Sequence, residues 1–251
     1  MSFLKSPVSH LQTYFAVKGN EPENFEAAYQ SGADAVVFDL DKPVQEKDKK
    51  YARQAVSDFL NQQLPLPTLV RVNGPDTPHT FDDLDAVIKP SVTAIRLPRI
   101  ESATWIREVA SFIDVKRIER EIVQTIGLEV YPGTAKGLKN LDKLAIATHT
   151  VWRLGLGEES LYQSVGSSED QAMLLARLQT VQSTFAANLP SPVQKSFIPH
   201  WSDEYLKDSS MLGLNLGFGA RTLWKNEHVH LWKEIYQEFL NTTIRTASGQ
   251  R

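Results

Sequence analysis

Short apolar runs alternate with longer amphipathic stretches along most of the chain. The apolar runs are rich in β-branched residues, and the run Val36-Val37-Phe38 is apolar on both faces. Runs of this kind are typical of strands buried on both sides, as in parallel sheets. The pattern predicts eight strands, at Thr13–Val17, Ala33–Leu40, Thr68–Asn73, Ala94–Pro98, Gln124–Val130, Thr150–Gly157, Lys195–Ile198 and Ala220–Trp224.

The stretches between the predicted strands have the apolar spacing of amphipathic helices. Several begin with Pro or an acidic residue, which helix N-termini favour. Predicted helices include Pro22–Gln30, Asp48–Asn61, Ala103–Phe112, Thr134–Ala147 and Asp170–Ala187. Strands that alternate with helices form parallel sheets. Eight such repeats in 251 residues therefore predict an α/β protein with one (β/α)8 barrel, the TIM barrel.

No composition break or Gly/Ser-rich linker divides the chain, so residues 1–251 are predicted to form a single domain. Its last part, residues 226–251, is predicted to be a C-terminal helix and a tail. The segment Asn226–Asn241 carries large apolar residues on one side, which either close the barrel or contact another subunit. The polar tail Thr242–Arg251 is expected to fray.

The overall charge and the lack of cysteine limit the function classes. With a formal net charge of -3, no nucleic-acid or membrane partner is expected. No run approaches the roughly 18 apolar residues of a membrane span, and the first 17 residues lack the pattern of a secretory signal. The absence of cysteine excludes disulfides, thiolate metal sites and cysteine nucleophiles. The cytoplasm is the expected location by default.

Polar residues follow several predicted strands at the point where each strand ends. They are Asp39 and Asp41 at the end of the second strand, Arg71 and Asn73 at the end of the third, Pro98, Arg99 and Glu101 at the end of the fourth, Glu129 at the end of the fifth, and Glu158 and Glu159 at the end of the sixth. In such barrels the C-terminal strand ends line the active site. Each residue alone could equally be a helix cap or a structural ion pair.

Carboxylates gathered without a thiolate or histidine partner suit a hard cation, Mg²⁺ or Mn²⁺. Arginines beside them suit a carboxylate substrate, because the planar guanidinium binds carboxylate in a two-pronged manner. Together these residues predict metal-assisted chemistry on an oxo- or hydroxy-acid.

The same strand ends resemble the HpcH/HpaI aldolase and citrate lyase beta-subunit family, which also contains malyl-CoA lyases. The segments that carry the resemblance are GADAVVFDLD at 32–41, VRVN at 70–73, DTP at 76–78, LPRIES at 97–102, LE at 128–129 and GEESL at 157–161. The resemblance runs in order from about residue 13 to 166. It implies a barrel of the phosphoenolpyruvate/pyruvate-domain type, assembled as trimers or hexamers.

The family's members bind Mg²⁺ and cleave or form carbon–carbon bonds next to a carbonyl. The resemblance implies that Glu129 is a metal ligand and that Arg71 holds the substrate carboxylate or oxyanion. Asp39 and Asp41 match acidic positions of the mouth.

The chain also departs from the family pattern. Ser160 stands where the family has its second metal ligand, an Asp, so either Glu158 or Glu159 replaces that ligand or metal binding is weakened. Lys42 takes the place of an acidic residue. Glu21 stands where the family often has an Arg that faces the phosphates of CoA, which argues against a CoA thioester substrate.

The leading hypothesis is a Mg²⁺-dependent carbon–carbon lyase or aldolase that acts on a small oxo- or hydroxy-carboxylic acid, with Mn²⁺ as an alternative cation. The predicted catalytic residues are Arg71, Asp39 and Asp41, the substrate-binding residues are Arg71, Asn73, Pro98, Arg99 and Glu101, and the metal ligands are Glu129, Glu159 and Glu158. The expected partners are the acid and further copies of the chain. Two alternatives stay open: a catalytically degenerate binding or structural subunit, and a barrel enzyme with unrelated chemistry.

Overall fold

A computed structural model describes residues 7–167 and 169–247. It contains eight parallel strands: β1 (Thr13–Lys18), β2 (Ala35–Asp39), β3 (Thr68–Arg71), β4 (Ala94–Pro98), β5 (Gly127–Tyr131), β6 (Val151–Leu154), β7 (Val193–Gln194) and β8 (Ala220–Leu223). Their order in the sheet is β6-β5-β4-β3-β2-β1-β8-β7. A parallel bridge from Gly155, just after β6, to Val193 in β7 joins the two ends. The predicted barrel is thus confirmed.

Ten helices surround the strands in the described residues: α1 (Phe25–Ala28), α2 (Lys49–Phe59), α3 (Thr80–Val87), α4 (Ala103–Glu119), α5 (Ala135–Lys139), α6 (Leu141–Ala145), α7 (Glu158–Val165), α8 (Leu174–Ala186), α9 (Asp203–Leu216) and α10 (Asn226–Ala247). Three of them begin at a side-chain cap, since Ser102, Thr134 and Ser202 each accept a hydrogen bond from a backbone N–H of the first turn.

The prediction of the seventh strand at Lys195–Ile198 is wrong. The strand is Val193–Gln194, and the chain leaves the sheet after pairing with Ala220 and Arg221 of β8. The apolar pattern that suggested a strand has another cause, because Phe197 is buried among residues of α9 and α10.

Two helix predictions also differ from the structure. The predicted helix Thr134–Ala147 is two short helices, α5 and α6, which are separated at Asn140. The segment 242–247 of the predicted frayed tail continues α10, whereas residues 248–251 lie outside the described residues.

Apolar side chains fill both sides of the sheet. The larger cluster lies between the strands and helices α2, α3, α4 and α6. A smaller cluster closes the N-terminal end of the barrel, where Val8, Leu11 and Tyr14 are fully buried. Burying one large aliphatic side chain contributes about 1.5–3 kcal/mol, so this end of the barrel is stabilising. Within the described residues, no helix is both long and apolar enough to cross a bilayer.

A row of charged residues crosses six neighbouring strands at matched register. We call it the charge ladder, and its members, from β1 to β6, are Lys18, Asp39, Arg71, Arg96, Glu129 and Arg153. Paired residues of neighbouring strands point to the same face of a sheet. Because several ladder residues line the cavity inside the barrel, the whole ladder faces the barrel interior. Such a row of charges in a barrel interior is the main departure from an apolar filling.

Candidate active site

The C-terminal ends of the strands surround a cavity of about 400 Å³. This volume is in the range of small-molecule sites, and the C-terminal face is where barrel enzymes carry their active sites. The charged side chains of the lining are Lys18, Asp39, Lys42, Arg71, Arg96, Arg99, Glu158, Glu159 and Lys195. Six of these are cationic and three are acidic, so the lining carries a formal charge of 6 − 3 = +3. The cavity therefore suits an anionic ligand.

Two arginines and two aspartates form one side of the mouth. We call Asp39, Asp41, Arg71 and Arg99 the mouth cluster. Arg71 donates from Nη1 to Asp39 Oδ2 at 2.9 Å and from Nη2 to Asp41 Oδ2 at 2.7 Å. Arg99 binds the same Asp41 in a two-pronged manner, at 2.6 and 2.9 Å. The Arg71 side chain remains 25% exposed, so part of its guanidinium is open to the cavity.

Asp41 is the centre of this cluster. Burial raises the pKa of its carboxyl, but the hydrogen bonds from Arg99 and the charges of Arg71, Arg99 and Lys49 outweigh burial and leave the pKa below its ordinary value. Arg99 reaches Asp41 from a backbone with φ 56°, in the left-handed region that non-glycine residues rarely adopt. Strain of this kind persists where side-chain contacts over-determine it, as the bonds to Asp41 and Asp76 do here.

A second group of ladder residues lies deeper in the barrel. We call Tyr14, Arg96, Glu129 and Arg153 the interior cluster. Glu129 is 0% exposed, and both of its carboxylate oxygens are occupied. Tyr14 donates to Oε1 at 2.6 Å, and Arg96 donates from Nε to Oε2 at 2.9 Å, with Nη2 2.8 Å from the same oxygen. Glu129 does not line the cavity, whereas Arg96 does. The guanidinium therefore lies at the cavity floor and covers the carboxylate.

Two polar groups next to Glu129 have unmet hydrogen-bonding capacity. Arg96 Nη2 and the Tyr131 hydroxyl are buried, and neither makes a hydrogen bond to any described residue, although Nη2 lies within the ion pair to Glu129. Burial raises the pKa of Tyr131 well above its usual value, so the hydroxyl keeps its proton at neutral pH. Both residues line the cavity. Arg96 Nη2 already lies 2.8 Å from Glu129 Oε2, whereas the Tyr131 hydroxyl has no partner among the described residues. Buried donors normally have partners, so the Tyr131 hydroxyl points to a ligand oxygen.

The predicted metal ligands are not brought together. Glu158 is buried and binds Arg177 through both oxygens, at 2.6 and 3.0 Å. Glu159 is 70% exposed and lies 3.9 Å from Lys42. In residues 7–167 and 169–247, no group of three or more His, Cys, Asp or Glu side chains is arranged to hold a metal ion.

The opposite wall of the cavity is aromatic and carries one lysine. Lys195 Nζ lies 4.7 Å from the ring centre of Trp201 and 5.3 Å from that of Tyr162. Its ammonium forms no salt bridge with a residue of the described ranges. Burial lowers the pKa of Lys195, and among the smaller effects Glu158 raises this pKa whereas Arg177 lowers it. Because β7 and β3 lie on opposite sides of the ring, Lys195 and Arg71 face the cavity from opposite walls.

The structure brings most of the predicted site residues to the mouth. Asp39, Arg71, Pro98, Arg99, Glu158 and Glu159 line the cavity. Asn73 instead binds Lys49, Asp83 and the carbonyl of Leu40 with its buried amide. Glu101 lies outside the cavity lining, on Thr134 and Lys136.

Sequence reasoning missed Arg96, Tyr131 and Lys195. A signal for Arg96 was present, because a charge in the middle of a strand of otherwise apolar residues requires a buried partner. Glu129, in the middle of the following strand, is that partner.

The comparisons with known proteins agree with this geometry. The family model of HpcH/HpaI aldolase/citrate lyase matches residues 12–191. The citrate lyase subunit beta of Leuconostoc mesenteroides subsp. cremoris is 26% identical over 235 residues, which cover 90% of this chain and 76% of that protein. The L-malyl-CoA/beta-methylmalyl-CoA lyase of Rhodobacter capsulatus is 27% identical over 157 residues, covering 59% of this chain and 48% of that protein.

One solved structure, the citrate lyase beta subunit complexed with oxaloacetate and magnesium from M. tuberculosis, superposes with a TM-score of 0.74. It is 21% identical and covers 91% of this chain and 98% of that chain. The match confirms the barrel fold.

Proposed function

Because the chain belongs to the HpcH/HpaI aldolase/citrate lyase family, a family of carbon–carbon lyases, we propose that it cleaves or forms a carbon–carbon bond next to the carbonyl of a small oxo- or hydroxy-carboxylic acid. A relative that binds oxaloacetate supports this substrate class. The cavity volume of about 400 Å³ suits a small acid.

One observation carries the proposal: two neighbouring cations of the charge ladder, Arg71 and Arg96, both line the cavity. Like charges directly opposite each other in neighbouring strands are destabilising. Arg71 is paired with Asp39 and Asp41, and Arg96 with Glu129, but 25% of the Arg71 side chain stays exposed and can meet a further anion. A carboxylate is a planar anion that guanidinium groups bind in a two-pronged manner. Arg71 is therefore the proposed anchor for the substrate carboxylate.

A CoA thioester is not the proposed substrate. Glu21 binds Lys18 at 2.7 Å, so an acid neutralises a lysine that lines the mouth. Phosphates are bound by unneutralised Lys and Arg side chains, and an acid at this position opposes them.

Magnesium in a site of this kind would polarise the substrate carbonyl and stabilise the enolate formed on cleavage. The residues of this chain do not fit that ion. Glu129 has both oxygens engaged beneath Arg96, Glu158 is bound by Arg177, and Ser160 supplies no charge. The steps that follow therefore use only the chain's own side chains.

In the proposed reaction, Arg71 binds the carboxylate of the acid. Asp39, which lines the cavity, accepts the proton of the substrate hydroxyl as the carbon–carbon bond breaks. The electron pair of that bond forms the enolate of the product acid. The aromatic wall with Trp201 and Tyr162 limits the access of water to the enolate. The sequence analysis predicts that Arg71 holds the carboxylate and that Asp39 is catalytic; the role of Asp39 as proton acceptor is part of this proposal.

A second candidate function is a binding subunit without catalysis. It is favoured by the ion pairs that engage every acidic residue of the predicted metal site: Glu129 with Arg96, Glu158 with Arg177, and Glu159 near Lys42. A protein of this kind would bind the acid and leave it unchanged.

The test measures the turnover of 4-hydroxy-2-oxo acids and of oxaloacetate through the release of pyruvate. The wild type is compared with an Arg71→Gln variant. We expect pyruvate release by the wild type and a loss of at least about 100-fold in the variant, the cost of removing a charge-assisted pair of hydrogen bonds. Binding without turnover in all assays would support the second candidate.

Assembly and location stay predictions. A homo-oligomer, trimer or hexamer, is supported by exposed apolar side chains on α8, where Leu175 is 65% and Phe185 51% exposed. Light scattering coupled to size exclusion measures the assembly, and a monomer at micromolar concentration would contradict it. Cytoplasmic location is likewise a prediction.

A further inference from the structure

We propose that Arg96 and Tyr131 form an oxyanion site that receives the carbonyl oxygen of the bound oxo-acid, and that this guanidinium serves in place of a divalent cation. The inference rests on the proposed lyase function and names the groups that stabilise its enolate. It starts from the buried Tyr131 hydroxyl, which has no hydrogen-bond partner among the described residues, and from the neighbouring guanidinium of Arg96, which is paired with Glu129 and lines the cavity.

The guanidinium of Arg96 is fixed from several sides. Its Nε donates to Glu129, and its Nη1 donates to Thr222 Oγ1 at 2.8 Å. The rings of Tyr14 and Tyr131 lie against it, with centres 4.8 and 4.9 Å from Cζ. Donors held in this way do not need to reorganise when charge develops on a substrate oxygen, which is the condition for strong oxyanion stabilisation.

The Tyr131 hydroxyl extends this donor set toward the mouth. Tyr131 lies two residues beyond Glu129 in β5, nearer the C-terminal end of the barrel. It pairs with Pro98 of β4, two residues beyond Arg96. Tyr131 and Arg96 are therefore two residues apart in register on adjacent strands, and both residues line the same cavity. A buried hydroxyl without a partner is destabilising, and an accepting ligand oxygen removes that cost.

Arg96 lies over the Glu129 carboxylate and neutralises its charge. This carboxylate therefore does not need a metal ion. Glu129 is fully buried, and its charge is met by Arg96, which is 4% exposed and lines the cavity. The substrate oxygen therefore contacts a cationic group that lies over Glu129. In a metal-containing site it would instead contact a metal ion bound to that carboxylate. In the cleavage of a 4-hydroxy-2-oxo acid, the C4 hydroxyl loses its proton to Asp39 and the C3–C4 bond breaks. The O–H electron pair forms the carbon–oxygen double bond of the leaving carbonyl product, and the C3–C4 pair forms the C2–C3 double bond. The charge on the C2 oxygen is held by the two donors until the proton on Asp39 returns to C3 and gives the 2-oxo acid.

Oxalate mimics the planar enolate of pyruvate and is the probe for this site, with acetate as the comparison anion that lacks the second oxygen pair. In Tyr131→Phe we expect the Kd for oxalate to rise about tenfold, the value of one hydrogen bond to a charged group, and the Kd for acetate to stay within about twofold. Tyr29→Phe is the matched control, because it removes a hydroxyl that binds Thr68 away from the cavity. We expect it to leave both affinities unchanged. Equal oxalate affinity in Tyr131→Phe and wild type would overturn the site.

The second experiment tests whether oxalate binding requires a divalent metal ion. We expect oxalate affinity to be the same in EDTA and in millimolar Mg²⁺, and Mn²⁺ to give no bound signal in electron paramagnetic resonance of the protein. Oxalate binding that requires a divalent ion would overturn the role of Arg96, because the ion would then be the electrophile.

The outcomes separate this inference from the lyase proposal. Oxalate binding that depends on Tyr131 but occurs without turnover leaves the oxyanion site intact and removes the lyase function. Turnover that is unaffected by Tyr131→Phe keeps the lyase function and removes the oxyanion site. Circular dichroism of each variant checks that the fold is retained.

Discussion

The mouth cluster and the interior cluster are both built from arginines and carboxylates of the charge ladder, at different depths in one barrel. In the mouth cluster, Arg71 keeps 25% of its side chain exposed and shares its donors between Asp39 and Asp41. In the interior cluster, Glu129 is completely enclosed and its ion pair with Arg96 is almost dry. Asp39 and Asp41 are themselves almost fully buried, so the part of the first cluster that is open to a ligand is the exposed portion of Arg71, whereas Glu129 in the second cluster is fully enclosed.

This difference suggests that one cluster binds and releases the ligand and that the other holds a charge in a fixed place. The exposed part of the Arg71 guanidinium can contact a ligand while its ion pairs to Asp39 and Asp41 stay in place, so Arg71 is suited to binding and release. A buried pair is strongly destabilised when one partner is lost, so Arg96 and Glu129 are suited to holding a charge in a fixed place. In a barrel of this family, the buried carboxylate is the one that the resemblance assigns to the metal. Its enclosure beneath an arginine therefore changes the chemistry available at the mouth.

The largest effect is expected from breaking the interior pair. Arg96→Met leaves Glu129 as an unpaired charge in a dry interior, and we expect it to lower the free energy of unfolding by about 3–5 kcal/mol. The double variant Arg96→Met/Glu129→Met removes both charges at similar volume and should recover most of that loss. Urea unfolding at pH 7 measures both.

The double variant is also the control for packing. If Arg96→Met alone lost less than about 1 kcal/mol, then Glu129 would have another source of compensation, and the description of the interior as dry would be incorrect. The same outcome would weaken the argument that Arg96 is held in a fixed place.

The sequence predicts one cluster better than the other for a physical reason. Asp39, Arg71 and Arg99 follow strands, and strand ends of a barrel meet at one face, so their meeting was predictable without coordinates. The pairing of Arg96 with Glu129 depends on the register of β4 against β5, which local periodicity does not encode. The shift of the seventh strand has a related origin, since the apolar Phe197 is buried by helices and not by a strand ladder.

A smaller effect is expected in the mouth cluster. The pKa of Asp41 is depressed, because the bonds and charges of its arginines outweigh its burial, so its contribution to stability is present above the ordinary carboxyl pKa. That contribution is lost as pH falls through the lower folded-state pKa. We expect Asp41→Asn to cost about 2 kcal/mol at pH 7 and less as pH falls below about 4. Urea midpoints between pH 2 and pH 7 (roughly the range of carboxyl titration) measure this, and a constant difference would contradict it.

Ligand binding at the aromatic wall should weaken as pH rises, whereas the stability contribution of Asp41 is lost as pH falls. Burial lowers the pKa of Lys195, so its ammonium loses its proton at a lower pH than an ordinary lysine. We expect oxalate affinity to fall as pH rises from 7 toward about 10, and Lys195→Met to weaken binding by about 1 kcal/mol at pH 7, or about fivefold. The variant should also lose most of the pH dependence. Lys207→Met on the exposed side of α9 is the control and should leave the titration unchanged.

The smallest expected effect is the most informative about the interior cluster. Ser160→Asp restores the acidic residue that the family has at this position, next to the cavity. If Ser160 alone kept a metal away, then this variant would bind Mn²⁺. We expect no gain, because the Glu129 oxygens stay engaged by Tyr14 and Arg96. The double variant Arg96→Gln/Ser160→Asp keeps a hydrogen-bond donor beside Glu129 but removes the cation, and it should bind Mn²⁺ at millimolar concentration, as seen by electron paramagnetic resonance. Binding by Ser160→Asp alone would mean that the interior pair opens readily, and the distinction between a half-open mouth and a closed interior would then fail.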